Sequence, residues 1–507
     1  MRQLKFVTRV RVLVAVCVLV ALVLIGRLYV LQIVRGELYL ARAEAQTTQQ
    51  ISPLLLRDSI YFSDKQGNLV IAATVKQETS TSTKSQRYYP GGSLAAQEIG
   101  FVAYNDDHTQ KGRYGLERYY EQTLAREEEM SYSNFFVELF GAARAVFGQA
   151  PKTGDLITTL EPVVQAELER TLRNYDSEWS PRLAGGIVMD PQTGEIVAMA
   201  VDPTFDLNAF NKEDDPLIFA NPLVENVYEM GSIIKPLTMA AGLDSGSVTP
   251  NTTYNDTGEI TLDQKTIRNH DGRARGVVPM QEVLSQSLNL GASFISQRVG
   301  KEGMREYFLD KFKLGSETGI DLPGELHGLV ENLQSPRQVE YSTASFGQGI
   351  AITPIQTVRA LATLANGGLL VTPHLVRSIR YDAGYTQELS WGEPERVLQE
   401  KTTREVSRML TEVVDTALLE GAIKLDRYSV AAKTGTAQVA NPGGGGYYED
   451  RFLHSFFGYF PSYDARFIVF LFALEPQGAP FASQTLARPF NSLTQFLISY
   501  YSIPPDR

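Results

Sequence analysis

The sequence predicts a mixed α+β domain built on one sheet whose strands come from the two ends of the domain. Three observations carry this. "AGGIVMD" (184–190) and "GEIVAMA" (194–200) are strand-like runs joined through "PQTG", the composition of a tight hairpin. "YSVAAKTGTAQV" (428–439), "LHSFFGYFP" (453–461) and "RFIVFLFALE" (466–475) are three more strand candidates in succession. Helical patterns fill the middle, and "NSLTQFLISYY" (491–501) ends the chain as a helix. Strands at both ends with helices between them imply a sheet in which distant segments of sequence meet. At 507 residues, 43% hydrophobic and 21% charged, the chain is long enough for that core and for further domains.

The elements preceding this domain differ in character. Residues 12–34 are apolar except for Arg27 and Gln32, long enough to span a bilayer at about 1.5 Å per residue with Arg27 reaching for an interface. Arg2, Lys5, Arg9 and Arg11 precede the run, which keeps the N-terminus in the cytoplasm and exports everything beyond Val34. "ARA" (41–43) lies too far downstream for signal-peptide cleavage, and Cys17, with Val16 before it and apolar residues after, makes a poor lipoprotein signal. Cys17 is the only cysteine, so the exported part has no intramolecular disulfide and no cysteine-based metal site. Residues 1–35 hold six of the 47 basic residues and no acid; the remaining 41 face 58 acidic residues, and so acidic a body argues against a nucleic-acid partner.

Residues 36–155 read as a separate polar module of strands and loops, with a Thr/Ser/Lys/Gln stretch at 78–86 and a helix at 134–148. Residues 156–507 form the main domain, opening with a helix over 158–172 that has Pro162 near its first position.

Within that domain, "YEMGSIIKP" (228–236) sets Ser232 and Lys235 three residues apart with Pro236 directly behind. Proline is tolerated only in the first turn of a helix, so both side chains are confined to one helix entrance. A hydroxyl there gains from unpaired N–H donors and the helix dipole, and a lysine three residues on can reach it, which suits an activated nucleophile. Lys235 must then be neutral, through burial or a second cation. Taken alone the pair reads as well as a plain helix cap beside a solvated lysine. Two more motifs tip the balance. "SLN" (287–289), inside the helical pattern 280–300, offers a hydroxyl and a carboxamide at Ser287 and Asn289. K-T-G occurs at 152–154 and at 433–435, and only the second, flanked by Ala431, Ala432 and Thr436 on a strand-like run, has the small residues and hydroxyls a strand-shaped anionic substrate needs. Lys152, in a Pro/Gly linker, reads as a surface residue. Five scattered histidines form no metal set, and His454 reads as structural, so neither metal nor cofactor is expected.

S-x-x-K, S-x-N and K-T-G in this order resemble the penicillin-binding proteins and serine β-lactamases. "MDPQTGEIVAMA" (189–200), "GIDLPGE" (319–325), "SFGQGIAITPIQ" (345–356), "NGG" (366–368) and "KTGTAQ" (433–438) resemble the transpeptidase domain of class B penicillin-binding proteins, and "RYYPGGSLAAQEIG" (87–100) and "GLERYYEQTL" (115–124) that class's pedestal. The resemblance implies an antiparallel sheet with helices on both faces, preceded by a membrane helix and an elongated, mostly β pedestal. It implies peptidoglycan D,D-transpeptidation: Ser232 as nucleophile, Lys235 as general base, Ser287 and Asn289 as proton relay and amide holder. Lys433, Thr434, Gly435 and Thr436 would form the carboxylate-binding strand, with Lys433 also the second cation, and the N–H groups of Ser232 and Thr436 the oxyanion hole. It also implies β-lactams as covalent inhibitors, a polytopic glycosyltransferase and other divisome or elongasome proteins as partners, and a single-pass place in the cytoplasmic membrane. The short link from "KTGTAQ" through "NPGGGGYYEDRF" looks more like the division enzymes than the elongation enzymes. Met230 stands where the family usually has proline, and Arg57-Asp58 where the pedestal usually opens Arg-Gly. A hydrolase of the D,D-carboxypeptidase or β-lactamase type shares the motifs but lacks an anchor and pedestal; a non-enzymatic scaffold would have degraded motifs, and none is degraded.

Overall fold

The computed structural model describes residues 19–20, 57–77, 85–104, 110–126, 153–441, 443 and 446–507. The chain divides into two compact units, residues 1–55 with 77–86 and residues 56–76 with 87–507. The membrane segment expected at 12–34, apart from Leu19 and Val20, lies outside the described residues, as do Cys17, the helix expected at 134–148 and Lys152. Among the described residues no helix is long and apolar enough to cross a membrane.

The second unit centres on a five-stranded sheet in the order Ala431–Ala440, Tyr447–Phe460, Phe467–Leu474, Leu183–Met189, Ile196–Asp202. Every neighbouring pair is antiparallel. The first and last strands of this sheet in sequence thus lie side by side, as the sequence pattern predicts, with Phe470 opposite both Phe457 and Ile187. Phe467–Leu474 is buried along its whole length, the signature of a strand covered on both faces, and its sequence is accordingly apolar without alternation. Helices do cover both faces. Phe456 stacks on Phe490 of the helix Ala487–Tyr501, ring centroids 4.4 Å apart. Three residues on, and so on the opposite face, the Tyr459 hydroxyl meets Ser407 of the helix Glu400–Glu412 at 2.8 Å. The helix Pro162–Trp179 starts at the expected proline and is capped by the Glu161 carboxylate.

A second sheet includes, as successive neighbours, Thr386–Glu388, Val376–Tyr381, Gly154–Thr158, Ile60–Ser63 and Leu69–Gln77. The division expected at 155–156 falls inside one of its strands, and Val376–Tyr381 reaches it from the C-terminal side. Asp321 of "GIDLPGE", fully buried, accepts the N–H groups of Leu375 and Val376 at 2.7 and 2.9 Å and the Tyr120 hydroxyl at 3.0 Å. Nearby, the buried Glu117 of "GLERYY" takes Arg57 at 2.7 Å and Arg87 at 2.6 Å, and the carbonyl of Asp58, where the family's glycine would stand, accepts from Arg87 at 2.8 Å.

Candidate active site

Three segments from distant parts of the sequence form one cleft along the edge strand Ala431–Ala440. Ser232 lies in a single 3-10 turn, Gly231–Ile234, that runs directly into the helix Lys235–Asp244, with Pro236 in its first turn as expected. Gly231 sits at φ +64 and backs onto the edge strand, where a Cβ would come within 3.1 Å of the Thr436 carbonyl. Met230, in place of the usual proline, holds φ −80, a value proline would adopt, and its carbonyl accepts from Ser455 at 2.9 Å. The strand can lie this close because Gly435 has no side chain: a Cβ there would stand 2.7 Å from that same carbonyl and 2.4 Å from Ser455 Oγ.

The segment 280–300 is not one helix. It breaks into Met280–Ser285 and Asn289–Arg305, with Ser287 between them at φ +54. A non-glycine residue in the left-handed region costs on the order of 1 kcal/mol, and here the turn aims both the carbonyl and the hydroxyl of Ser287 at Lys235. Periodicity misses the break because Leu284 and Leu288 are both buried and keep helical spacing across it.

The polar side chains converge. Lys235 Nζ lies 2.9 Å from Ser232 Oγ, 2.6 Å from the Ser287 carbonyl and 3.1 Å from Ser287 Oγ. Lys433 Nζ reaches the same Ser287 Oγ at 3.1 Å and the Thr434 carbonyl at 3.0 Å. Ser287 thus bridges the two amines. Both lysines are almost wholly buried. Burial, first, and then the charge of Lys433 hold the Lys235 amine well below the ordinary lysine range. Burial alone pushes Lys433 down to about 7. Burial is therefore the larger of the two causes named for Lys235 in the sequence, and the second cation the smaller. A serine hydroxyl beside a neutral amine can be deprotonated as it attacks, which makes the group a candidate for acyl transfer.

Asn289 stands at the start of its helix and donates to the Arg268 carbonyl at 2.9 Å, so its carboxamide fixes a neighbouring turn. Thr434 and Thr436 are half-buried along the strand, and Thr436 Oγ1 accepts from Ala482 N–H at 3.1 Å. As the strand is the edge of its sheet, alternate backbone groups remain available to a strand-shaped ligand. His454 lies opposite Thr436 in the register but is buried, bonded to Thr485 Oγ1 at 2.9 Å and pushed by burial down to about 4, a structural residue as expected. Two residues that no motif signals, His270 and Phe481, stand beside the cleft with ring centroids 6.1 Å apart.

Residues 184–494 match the family described as the penicillin binding protein transpeptidase domain. The chain belongs to that family. Among its relatives, stage V sporulation protein D of Bacillus subtilis is 32% identical over 80% of this chain and 62% of its own length. A peptidoglycan D,D-transpeptidase FtsI of Buchnera aphidicola is 25% identical over 83% of this chain and 71% of its own. The chain spans less than two thirds of the length of the sporulation protein. A crystal structure of penicillin binding protein 3 from Mycobacterium tuberculosis complexed with aztreonam superposes with a TM-score of 0.75 at 27% identity, covering 89% of this chain and 97% of the other.

Proposed function

We propose that this penicillin-binding transpeptidase is a serine-type peptidoglycan D,D-transpeptidase that cross-links stem peptides through an acyl-enzyme on Ser232. The observation that carries the reading is the 2.9 Å contact between Ser232 Oγ and an amine that burial holds well below the ordinary lysine range. Ser232 Oγ attacks the carbonyl of the penultimate D-alanine while its proton passes to Lys235. The C–N bond breaks, and the terminal D-alanine leaves as an amine that takes a proton back through the Lys235–Ser287 pair. An amine of a neighbouring stem then attacks the ester, loses a proton to the same pair and frees Ser232. Ser287 relays protons between the two lysines, Asn289 holds the substrate amide, and Lys433, Thr434, Gly435 and Thr436 receive the terminal carboxylate, whose arrival favours the charged form of Lys433. The N–H groups of Ser232 and Thr436 form the oxyanion hole, worth about 3 kcal/mol per donor.

In this reading residues 1–35 are a cytoplasmic tail and single membrane anchor, 36–155 a pedestal and 156–507 the catalytic domain, outside the cytoplasmic membrane. A polytopic glycosyltransferase and other envelope-synthesis proteins are the partners of the anchor and pedestal, and the role is septal rather than lateral. The family membership and the aztreonam complex of the mycobacterial protein are what support β-lactams as inhibitors.

The test is labelling of membranes with a fluorescent penicillin, wild type beside Ser232→Ala. A stable adduct is expected in the wild type alone. An adduct on the alanine variant would dismiss the nucleophile, and rapid loss of the wild-type adduct would move the assignment to a hydrolase.

A further inference from the structure

Two residues outside the three motifs meet at the mouth of the cleft, one from each wall. His270 follows the strand Lys265–Arg268 in a turn held from several sides. Asn289 Nδ2 donates to the Arg268 carbonyl at 2.9 Å, and Asn269 accepts the Leu290 N–H at 3.2 Å. Asn269 also donates to Asp256 at 2.9 and 3.0 Å, and the Gly272 N–H returns to the Asn269 carbonyl at 2.9 Å. Arg275 pairs with Asp271 through two bonds of 2.7 Å. The turn that presents His270 is therefore anchored on the helix start that carries Asn289.

Phe481 comes from the opposite wall. The next residue, Ala482, donates its N–H to Thr436 Oγ1 at 3.1 Å, and the Phe481 carbonyl accepts the Gln484 N–H at 3.0 Å. Its ring is 45% exposed, so it does not serve the core. The His270 and Phe481 rings meet edge to face, centroids 6.1 Å apart at 84°, within the range in which aromatic pairs attract. Burial holds the imidazole below its ordinary pKa; Lys235, Arg275 and Lys433 act in the same direction and Asp271 against it, which favours the uncharged ring against Phe481. The contact spans from the wall of Asn289 to the wall of Thr436.

We infer that His270 and Phe481 form a roof over the subsite of the donor peptide's terminal residue and restrict that residue to a small side chain. The inference rests on the transpeptidase reading, in which Lys433 and Thr436 hold the terminal carboxylate. A side chain on the carbon bearing that carboxylate, if larger than methyl, has to part the two rings, and forcing extra methylenes into a built contact is costly. His270 and Phe481 are thus specificity-determining residues and take no proton.

The test uses the full-length chain in detergent with N-acyl-D-alanyl thioesters of thioglycolate, thiolactate and the isobutyl-bearing homologue of thiolactate. Ser232 Oγ adds to the thioester carbonyl, its proton passes to Lys235, the C–S bond breaks and the thiolate that leaves is counted. In the wild type kcat/KM should fall by about tenfold or more from the methyl to the isobutyl leaving group. His270→Ala and Phe481→Ala should each bring that ratio near one, while His270→Phe, which restores a ring, should keep it. A ratio unchanged in both alanine variants, or near one in the wild type, overturns the roof and leaves the transpeptidase reading standing. A wild type that releases no thiolate from any of the three and forms no penicillin adduct overturns the reading itself.

Discussion

Two clusters of buried charge in this molecule are built from opposite rules. Around Glu117 a carboxylate lies between two arginines, Arg57 at 2.7 Å and Arg87 at 2.6 Å, with Glu121 completing Arg57 at 2.8 Å. Burial by itself would raise the Glu117 carboxyl, yet the arginine charges and hydrogen bonds overcome it and hold the group below its ordinary range. In the cleft, Lys235 and Lys433 are buried as deeply but face each other and a serine, with no carboxylate paired to either among the described residues. There, burial wins, and both amines are held down. Opposite charges brought together inside a protein fix structure. Charges buried without a counter-charge give up protons, and a group that has given up its proton can do chemistry.

The largest effect should come from removing the reactive amine. Lys235→Met is expected to lower the rate of acylation by penicillin by about 10³-fold or more, as loss of a general base does, without lowering the melting temperature, because it removes an amine whose desolvation disfavours folding. Acylation within tenfold of wild type would erase the contrast between the clusters. The wild-type rate should hold on descending through pH 10 and fall only further down, as Lys235 takes up its proton well below the ordinary lysine range. A rate that dropped already below pH 10 would show an ordinary lysine.

Breaking the paired cluster should act on stability instead. Glu117→Gln leaves Arg87 buried without a counter-charge and Arg57 with Glu121 alone, and is expected to cost about 3–5 kcal/mol, read from thermal or denaturant unfolding. The fraction that remains folded should still be acylated at the wild-type rate, since among the described residues the cleft shares no hydrogen bond with Glu117. Equal losses of stability and of intrinsic acylation rate would mean that the two clusters are coupled.

The chemistry of the cleft was far more legible in sequence than that of the paired cluster. Ser232 and Lys235 are three residues apart with Pro236 behind them, so local helix geometry alone puts them in contact. The two copies of K-T-G could be told apart by their neighbours, and the hairpin at 184–200 and the three late strands announced the sheet. Ser287 was found by spacing, but its left-handed conformation was not, because the buried leucines on either side keep a helical period through the break. Glu117 meets arginines 60 and 30 positions away, and His270 meets Phe481 across 211. Contacts at such separations follow from topology, which no local pattern encodes.

The most gradual effect, spread over several pH units, should come from a third way of burying charge, midway between the other two. Glu98, in the helix Ala96–Ile99, is fully buried; its Oε1 accepts from Asn221 at 2.9 Å, and among the described residues Oε2 has no hydrogen-bond partner and no cation pairs with it. Burial, with a further push from the charge of Glu169, raises its carboxyl from 4.5 to about 8. The folded state therefore keeps a proton that the unfolded chain has lost over that window. The stability Glu98 contributes is fully present below pH 4.5 and declines as pH rises toward 8, at up to about 1.4 kcal/mol per pH unit. Glu98→Gln keeps the shape and the bond to Asn221 but carries no charge at any pH. It should match the wild type near pH 5, exceed it in stability at pH 8, and flatten the pH dependence between, as measured by urea unfolding at fixed pH. Parallel pH profiles for the two proteins would mean that Glu98 is solvated and ionised in the folded state, and only the paired and like-charged clusters would then remain.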